Sequence, residues 1–122
     1  FVPLSYDIDL LKRIEIEGEL QEYCTGGSIA HLNLDGRPNS ESLKKFNNVI
    51  LQKSKLRQYA YNAGFTMCKN NHNSMGVFQK CPTCGSVELD WLTRVVGYLT
   101  PVSNWYKLKQ LEFSTRKWKS IN

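Results

Sequence analysis

The sequence predicts an α+β fold, and three observations carry that prediction. Residues 7–24 and 40–51 place apolar side chains at helical spacing, residues 28–34 alternate as a half-buried strand does, and Cys81-Pro82-Thr83-Cys84-Gly85 has the form of a zinc-ribbon knuckle. No internal repeat or low-complexity tract interrupts the 122 residues, so the chain is one domain or part of one.

In chain order, Asp7 to Cys24 reads as a helix through Leu10, Leu11, Ile14 and Leu20, broken or bent at Gly18. Thr25-Gly26-Gly27-Ser28 is either a tight helix-to-strand turn or a phosphate cradle without the G-K-[ST] of a P-loop. From Ser28 to Leu34 the set Ile29, His31 and Asn33 alternates with Ala30, Leu32 and Leu34, the pattern of a half-buried strand. In such a strand His31 reads as a surface or satisfied core residue before it reads as a ligand. A turn at Asp35–Asn39 leads into a second helix, capped by Asn39 or Ser40, with Leu43, Phe46, Val49 and Ile50 on one face. Gln58 to Thr66 is expected to be extended. Its aromatics Tyr59, Tyr61 and Phe65 suit core packing around the metal module, or a stacking platform for bases. Met75 to Lys80 is expected as a hairpin joining two knuckles, Val87 to Thr93 as a strand, and Trp105 to Lys117 as a short helix or extended tail.

Two thiolates two residues apart, on a turn closed by glycine, can grip one metal ion tetrahedrally. Cys81 and Cys84 are such a pair, Cys68 offers a third sulfur, and His72 a fourth ligand through its imidazole. The site expected is Cys3His zinc, with Asn71 competing with His72 for the fourth place. A Cys81–Cys84 disulfide, a redox pair or inert thiols are the alternatives, and no βαβ unit of the kind that carries redox C-x-x-C pairs is readable. Cys24 stands apart and reads as structural.

Charge is uneven. Residues 1–24 carry six acids against two bases, and residues 101–122 carry five bases against Glu112. Most of the formal +5 therefore sits on the C-terminal segment, as an attractor for acidic partners or as a solvated helix face. No run approaches the ~20 apolar residues of a membrane span and no signal peptide is visible, so a cytoplasmic location is expected.

The run Arg94-Val95-Val96-Gly97-Tyr98-Leu99-Thr100-Pro101-Val102-Ser103 reads, by itself, equally well as a strand ending in a turn. It is followed by Trp105, Lys109, Glu112, Phe113 and Arg116, and preceded by the segments Thr25–Leu34 and Tyr61-Asn62-Ala63-Gly64-Phe65-Thr66-x-Cys68. Together, in this order, these resemble the C-terminal zinc and glycyl-radical region of anaerobic (class III) ribonucleoside-triphosphate reductases. The family tail W-N-x-G-K-x-x-E-F-x-x-R departs here at Tyr106 and Leu108, and Asn71 stands where the family carries a cysteine.

The resemblance implies the C-terminal portion of a glycyl-radical α/β barrel. Residues 1–66 would belong to the barrel region, 67–92 to the zinc-binding module, and 93–122 to the radical loop and tail. It implies that Gly97 stores an unpaired electron on its α-carbon, which glycine suits because it has no Cβ to crowd a flattened, delocalised centre. Arg94, the apolar pair and Tyr98 would support the loop in a buried pocket. A separate radical S-adenosylmethionine activase with a [4Fe-4S] cluster would install the radical. The remaining reductase polypeptide would supply the thiyl cysteine and the nucleoside-triphosphate site, as a homo-oligomer when complete. The chain begins at Phe1 in what resembles mid-family sequence, which suggests a split gene, processing or a fragment. A detachable replacement module for a damaged reductase, and a zinc-ribbon nucleic-acid binder, are the other functions weighed; direct nucleic-acid binding is not expected.

Overall fold

The computed structural model describes residues 1–95 and 97–122. Val96, one of the apolar pair beside Gly97, lies outside the described residues.

The first half is a layer of two helices on a parallel strand pair. Helix α1 (Leu10–Gln21) starts at Asp9, whose carboxylate accepts from the Leu11 amide, and it buries Leu10 and Ile14. Contrary to expectation it runs unbroken through Gly18. That glycine serves a close approach: a Cβ there would lie 2.8 Å from the Leu56 backbone nitrogen. Strand β1 (Ala30–Asn33) pairs in parallel with β2 (Tyr59–Asn62), joined by α2 (Ser40–Lys53). A βαβ unit is therefore present after all, but it lies between Cys24 and the cluster cysteines and contains none of the four. Asn39 is the α2 cap, its side chain accepting from the Ser42 amide at 2.7 Å. Leu10, Ile14, Ala30, Leu32, Leu34, Ile50 and Leu56 form the core. Fully buried Leu32 and Ile50 each contribute about 1.5–3 kcal/mol of burial energy.

Alternation in β1 fails at one place. Asn33 is buried, because the Asn62 amide across the pair donates to its Oδ1 at 3.0 Å. Tyr59 and Tyr61 pack on this core and not around the metal module, and both hydroxyls donate to Asn47 Oδ1. Burial, with Tyr59 nearby, pushes the Tyr61 hydroxyl up to about 12.

The second half is an antiparallel sheet in the order β4-β3-β5-β6, built from β3 (Phe65–Cys68), β4 (Asn73–Met75), β5 (Leu89–Arg94) and β6 (Leu99–Pro101). The extended 58–66 run is thus two strands in two sheets. The hairpin lies between β3 and β4, not at Met75 to Lys80, where the Thr66 hydroxyl instead bridges the Gly76 carbonyl and the Phe78 amide. A 3-10 turn (Val102–Asn104) leads to α3 (Lys107–Thr115), which settles the tail as helical. Val102, Trp105 and Phe113 make a second core, with Trp91 and Trp118 against it. The C-terminal segment then returns beside β1 in a single parallel bridge, where the Lys119 main-chain amide donates to the Asn33 carbonyl and its carbonyl accepts from the Asp35 amide.

No closed barrel exists among the described residues, so the expectation of a barrel portion reduces to a mixed α+β unit with a ribbon-like sheet. Among them, no helix is long and apolar enough to cross a membrane.

Candidate functional site

Cys68 ends β3, and the four residues after it turn the chain back. Asn71 takes a left-handed conformation (φ 63°), which asparagine tolerates better than most residues, and its amide donates to the Cys68 carbonyl at 3.0 Å. The turn delivers His72, not Asn71, toward the sulfurs. The second knuckle closes when the Gly85 amide donates to the Cys81 carbonyl at 2.9 Å, with Gly85 at φ 71°.

The ligand atoms of Cys68, His72, Cys81 and Cys84 all lie within 4.8 Å of one another. Cys68 Sγ is 3.4 Å from His72 Nδ1 and 3.8 Å from Cys84 Sγ, and Cys81 Sγ is 3.7 Å from His72 Nδ1. Zinc with bonds of about 2.3 Å to sulfur and 2.0–2.1 Å to nitrogen gives tetrahedral edges of about 3.8 Å and about 3.6 Å. Three of the donor separations stand close to those values and the rest lie within 4.8 Å, so the cluster fits a zinc ion. All four cysteines are free thiols, so the disulfide alternative is not realised. Cys24 lies away from the cluster, its Sγ 3.6 Å from the Leu20 carbonyl.

Electrostatics suit a cation. The Asn70 side-chain amide, then the Ser86 backbone amide and His72, lower the exposed Cys84 thiol to about 6. The Cys84 backbone amide foremost lowers Cys81, while burial foremost raises Cys68. Cys84 and then Cys81 raise His72. The shifts at Cys84 and Cys81 run toward thiolate, the form in which cysteine binds a metal.

Strand β5 runs away from this cluster. Leu89 pairs with Cys68 at the metal end, and Arg94 pairs with Leu99 at the other. At ~3.4 Å per residue the six residues of β5 hold the metal end and the Gly97 hairpin roughly 20 Å apart. Gly97 sits in the β5–β6 connection. The Arg94 guanidinium donates to its carbonyl at 2.9 Å, and the Val95 amide donates to the Tyr98 carbonyl.

Gly97 and Tyr98 are exposed, with Tyr98 at 66%, so the described residues do not build the expected buried pocket. A methyl group on Gly97 would meet no atom within 4 Å outside its immediate chain neighbours, so close packing does not demand glycine there.

The structure adds a brace that the sequence did not flag. Arg116, 6% exposed, donates to both Glu112 oxygens (2.8 and 2.9 Å) and to the Arg94 carbonyl (2.9 Å), and lies 5.2 Å from the Trp105 ring. Trp105 in turn donates to Thr100 on β6 and stacks edge-on with Phe113. Helix α3 is thereby clamped to both strands of the hairpin. The motif W…E-F-x-x-R was the available signal, but its spacing alone does not disclose a buried ion pair. The basic segment is largely consumed internally: Lys109 and Arg116 face Glu112, and Lys119 pairs with Asp7.

The family described as anaerobic ribonucleoside-triphosphate reductase matches residues 1–118. Among solved structures, an anaerobic ribonucleotide reductase is 30% identical over 98% of this chain and 19% of its own, with a TM-score of 0.69. The Thermotoga maritima anaerobic ribonucleotide reductase, in complex with dATP and CTP, is 32% identical over 91% of this chain and 18% of its own, at TM-score 0.60. The same enzyme with glycerol in the active site gives 31% over 91% and 17%, at 0.63. No curated protein matches the chain. The chain spans about a fifth of the length of these solved structures. With the family match running across nearly its whole length, the chain belongs to the anaerobic ribonucleoside-triphosphate reductase family.

Proposed function

We propose that this chain is the radical-bearing C-terminal part of an anaerobic ribonucleotide reductase, with Gly97 as the radical residue. The observation that supports it most is the freedom around Gly97. It stands at an exposed position where an added Cβ would meet no described residue beyond its chain neighbours, in a chain of this family, and yet the residue is glycine. Activation removes one hydrogen atom from the Gly97 α-carbon, homolytically, to an organic radical made by the activase. The unpaired electron left behind delocalises into the two flanking amides. An exposed tip is open to that partner.

The chain's own residues position the loop. Arg94 holds the Gly97 carbonyl, and Arg116 holds the Arg94 carbonyl and Glu112, so the base of the loop is fixed while Gly97 and Tyr98 stay exposed. Zinc, when bound, supplies structural cross-linking and no redox chemistry. Cys68, His72, Cys81 and Cys84 would hold it, fixing the start of β5 against the end of β3. Tyr98 would meet the wall of the barrel when the tip docks. That barrel, with the thiyl cysteine and the nucleoside-triphosphate site, belongs to the remaining reductase polypeptide, which would provide the shelter this chain lacks. The assembly would be cytoplasmic and oligomeric.

The test is anaerobic treatment of the zinc-loaded chain with a radical S-adenosylmethionine activase. Electron paramagnetic resonance should show a doublet from the remaining Gly97 α-hydrogen, lost in Gly97→Ala. No doublet, under conditions where a full-length reductase gives one, refutes the proposal.

A further inference from the structure

Helix α3 is apolar on two sides. Phe113 is buried in the second core and satisfies the inner face. Leu108 and Leu111, three residues apart on one stripe, lie away from it and are 62% and 63% exposed. Tyr106, where the helix starts, is 68% exposed. A surface helix ordinarily sets polar residues opposite its buried stripe, and one that is apolar on both sides is ordinarily covered on both.

The stability of the chain does not account for these side chains. Tyr106 holds the cap position of α3 and makes no side-chain hydrogen bond there. The family tail has asparagine at that place, among the strongest capping residues, and glycine at the place of Leu108. Leucine favours a helix over glycine, but alanine would do so without exposing apolar surface. This chain thus carries an exposed ring in place of a cap and an exposed leucine two residues on.

The brace indicates what covers this face. Arg116 bonds the Arg94 carbonyl and Trp105 bonds Thr100, so α3 and the β5–β6 hairpin are held together. Tyr98 and Leu99 on that hairpin are exposed as well. A polypeptide that receives the hairpin tip therefore stands beside α3. The solved relatives are about five times the length of this chain, so most of each such enzyme lies outside the matched part. A second copy of the chain is the poorer occupant. Lys107 and Lys109 flank Leu108, and among the described residues Glu112, shared with Arg116, is the acid that opposes them, so two such faces would bring cations together.

We propose that the outer face of α3, formed by Tyr106, Leu108 and Leu111, docks on an apolar surface of the remaining reductase polypeptide and anchors the hairpin apart from its tip. This rests on the reading of the hairpin as the radical-bearing element and names a contact that the radical chemistry itself does not use.

The test is calorimetric titration of the zinc-loaded chain, without activase, into the reductase polypeptide from the same source that carries the thiyl cysteine. Saturable binding is expected. Leu108→Gln and Leu111→Gln should each weaken it about tenfold, with urea midpoints near that of wild type because both sites are exposed. Tyr106→Asn should weaken binding while raising the urea midpoint, a split that a purely structural tyrosine would not give. Leu51→Gln, equally exposed on α2, should leave binding unchanged. No binding by wild type, unchanged binding in all three face variants, equal loss in Leu51→Gln, a lowered midpoint in Tyr106→Asn, or a dimer of the chain that the leucine variants dissociate overturns the proposal. A missing radical doublet beside these binding losses refutes the Gly97 reading alone, and a doublet beside unchanged binding refutes this one alone.

Discussion

Replacing Arg116 with methionine isolates the brace beneath the hairpin. Methionine keeps much of the apolar stem, so the change is chiefly one of charge and donors. Three bonds of 2.8–2.9 Å and a stack on Trp105 disappear. Breaking a buried ion pair costs ~3–5 kcal/mol, and losing one hydrogen bond to a charged group ~1.5–3 kcal/mol. The Arg116 side chain is 1% exposed but that of Glu112 is 29% exposed, so water recovers part of what the carboxylate loses. The expected cost is therefore about 3 kcal/mol, at the lower end of the buried-pair range. Arg116→Lys, which keeps the charge without the planar fork, should lose roughly half as much.

Urea unfolding of the zinc-loaded chain reads these values. The pH profile adds a second check. Burial raises the Glu112 carboxyl, but Arg116 and then Lys109 outweigh it and hold it below its ordinary 4.5. A folded-state value below the unfolded one stabilises above about pH 4.5, and that stability is lost as pH falls through the folded value. The gap between wild type and Arg116→Met should accordingly be widest above pH 5 and narrow below pH 4.5. A variant within about 0.5 kcal/mol of wild type at pH 7 would refute the brace.

The metal centre and the first core make their own predictions. The chain should bind about one zinc per molecule, and His72→Ala should weaken binding while Asn71→Gly leaves the stoichiometry unchanged; a metal-chelator competition assay decides, and equal loss in both would contradict the ligand set. Gly18→Ala should lower stability by about 1–3 kcal/mol despite alanine's better helix propensity, because its Cβ would press on the Lys55–Leu56 backbone; a raised urea midpoint would contradict that close approach.

Local signals explain which parts were legible from sequence. Helix α2 was, because Asn39 and the spacing of Leu43, Phe46, Val49 and Ile50 agree. The metal cluster was, because its ligands lie within 17 residues of sequence on two short turns. The β1–β2 pairing was not: each strand is four residues long, and the register is set by a helix packing across both. The 58–66 run misled because Gly64, buried against Val77 and Trp118, separates two strands that read as one. The Arg116–Glu112 pair has the i,i+4 spacing of an ordinary surface pair, while the Trp105 ring and the Arg94 carbonyl, contributed from outside the helix, help bury it. Shelter for Gly97 was expected from its apolar neighbours, but the four-residue connection between short strands has no second layer over it among the described residues.

The most direct measurement is intact-mass analysis of the activated chain after exposure to air. A carbon-centred radical on the main chain reacts with dioxygen and severs the polypeptide where it resides. The account predicts two fragments meeting at Gly97, absent without activase and absent in Gly97→Ala. An uncleaved chain that nonetheless carries the radical signal, or cleavage at any other residue, would contradict it.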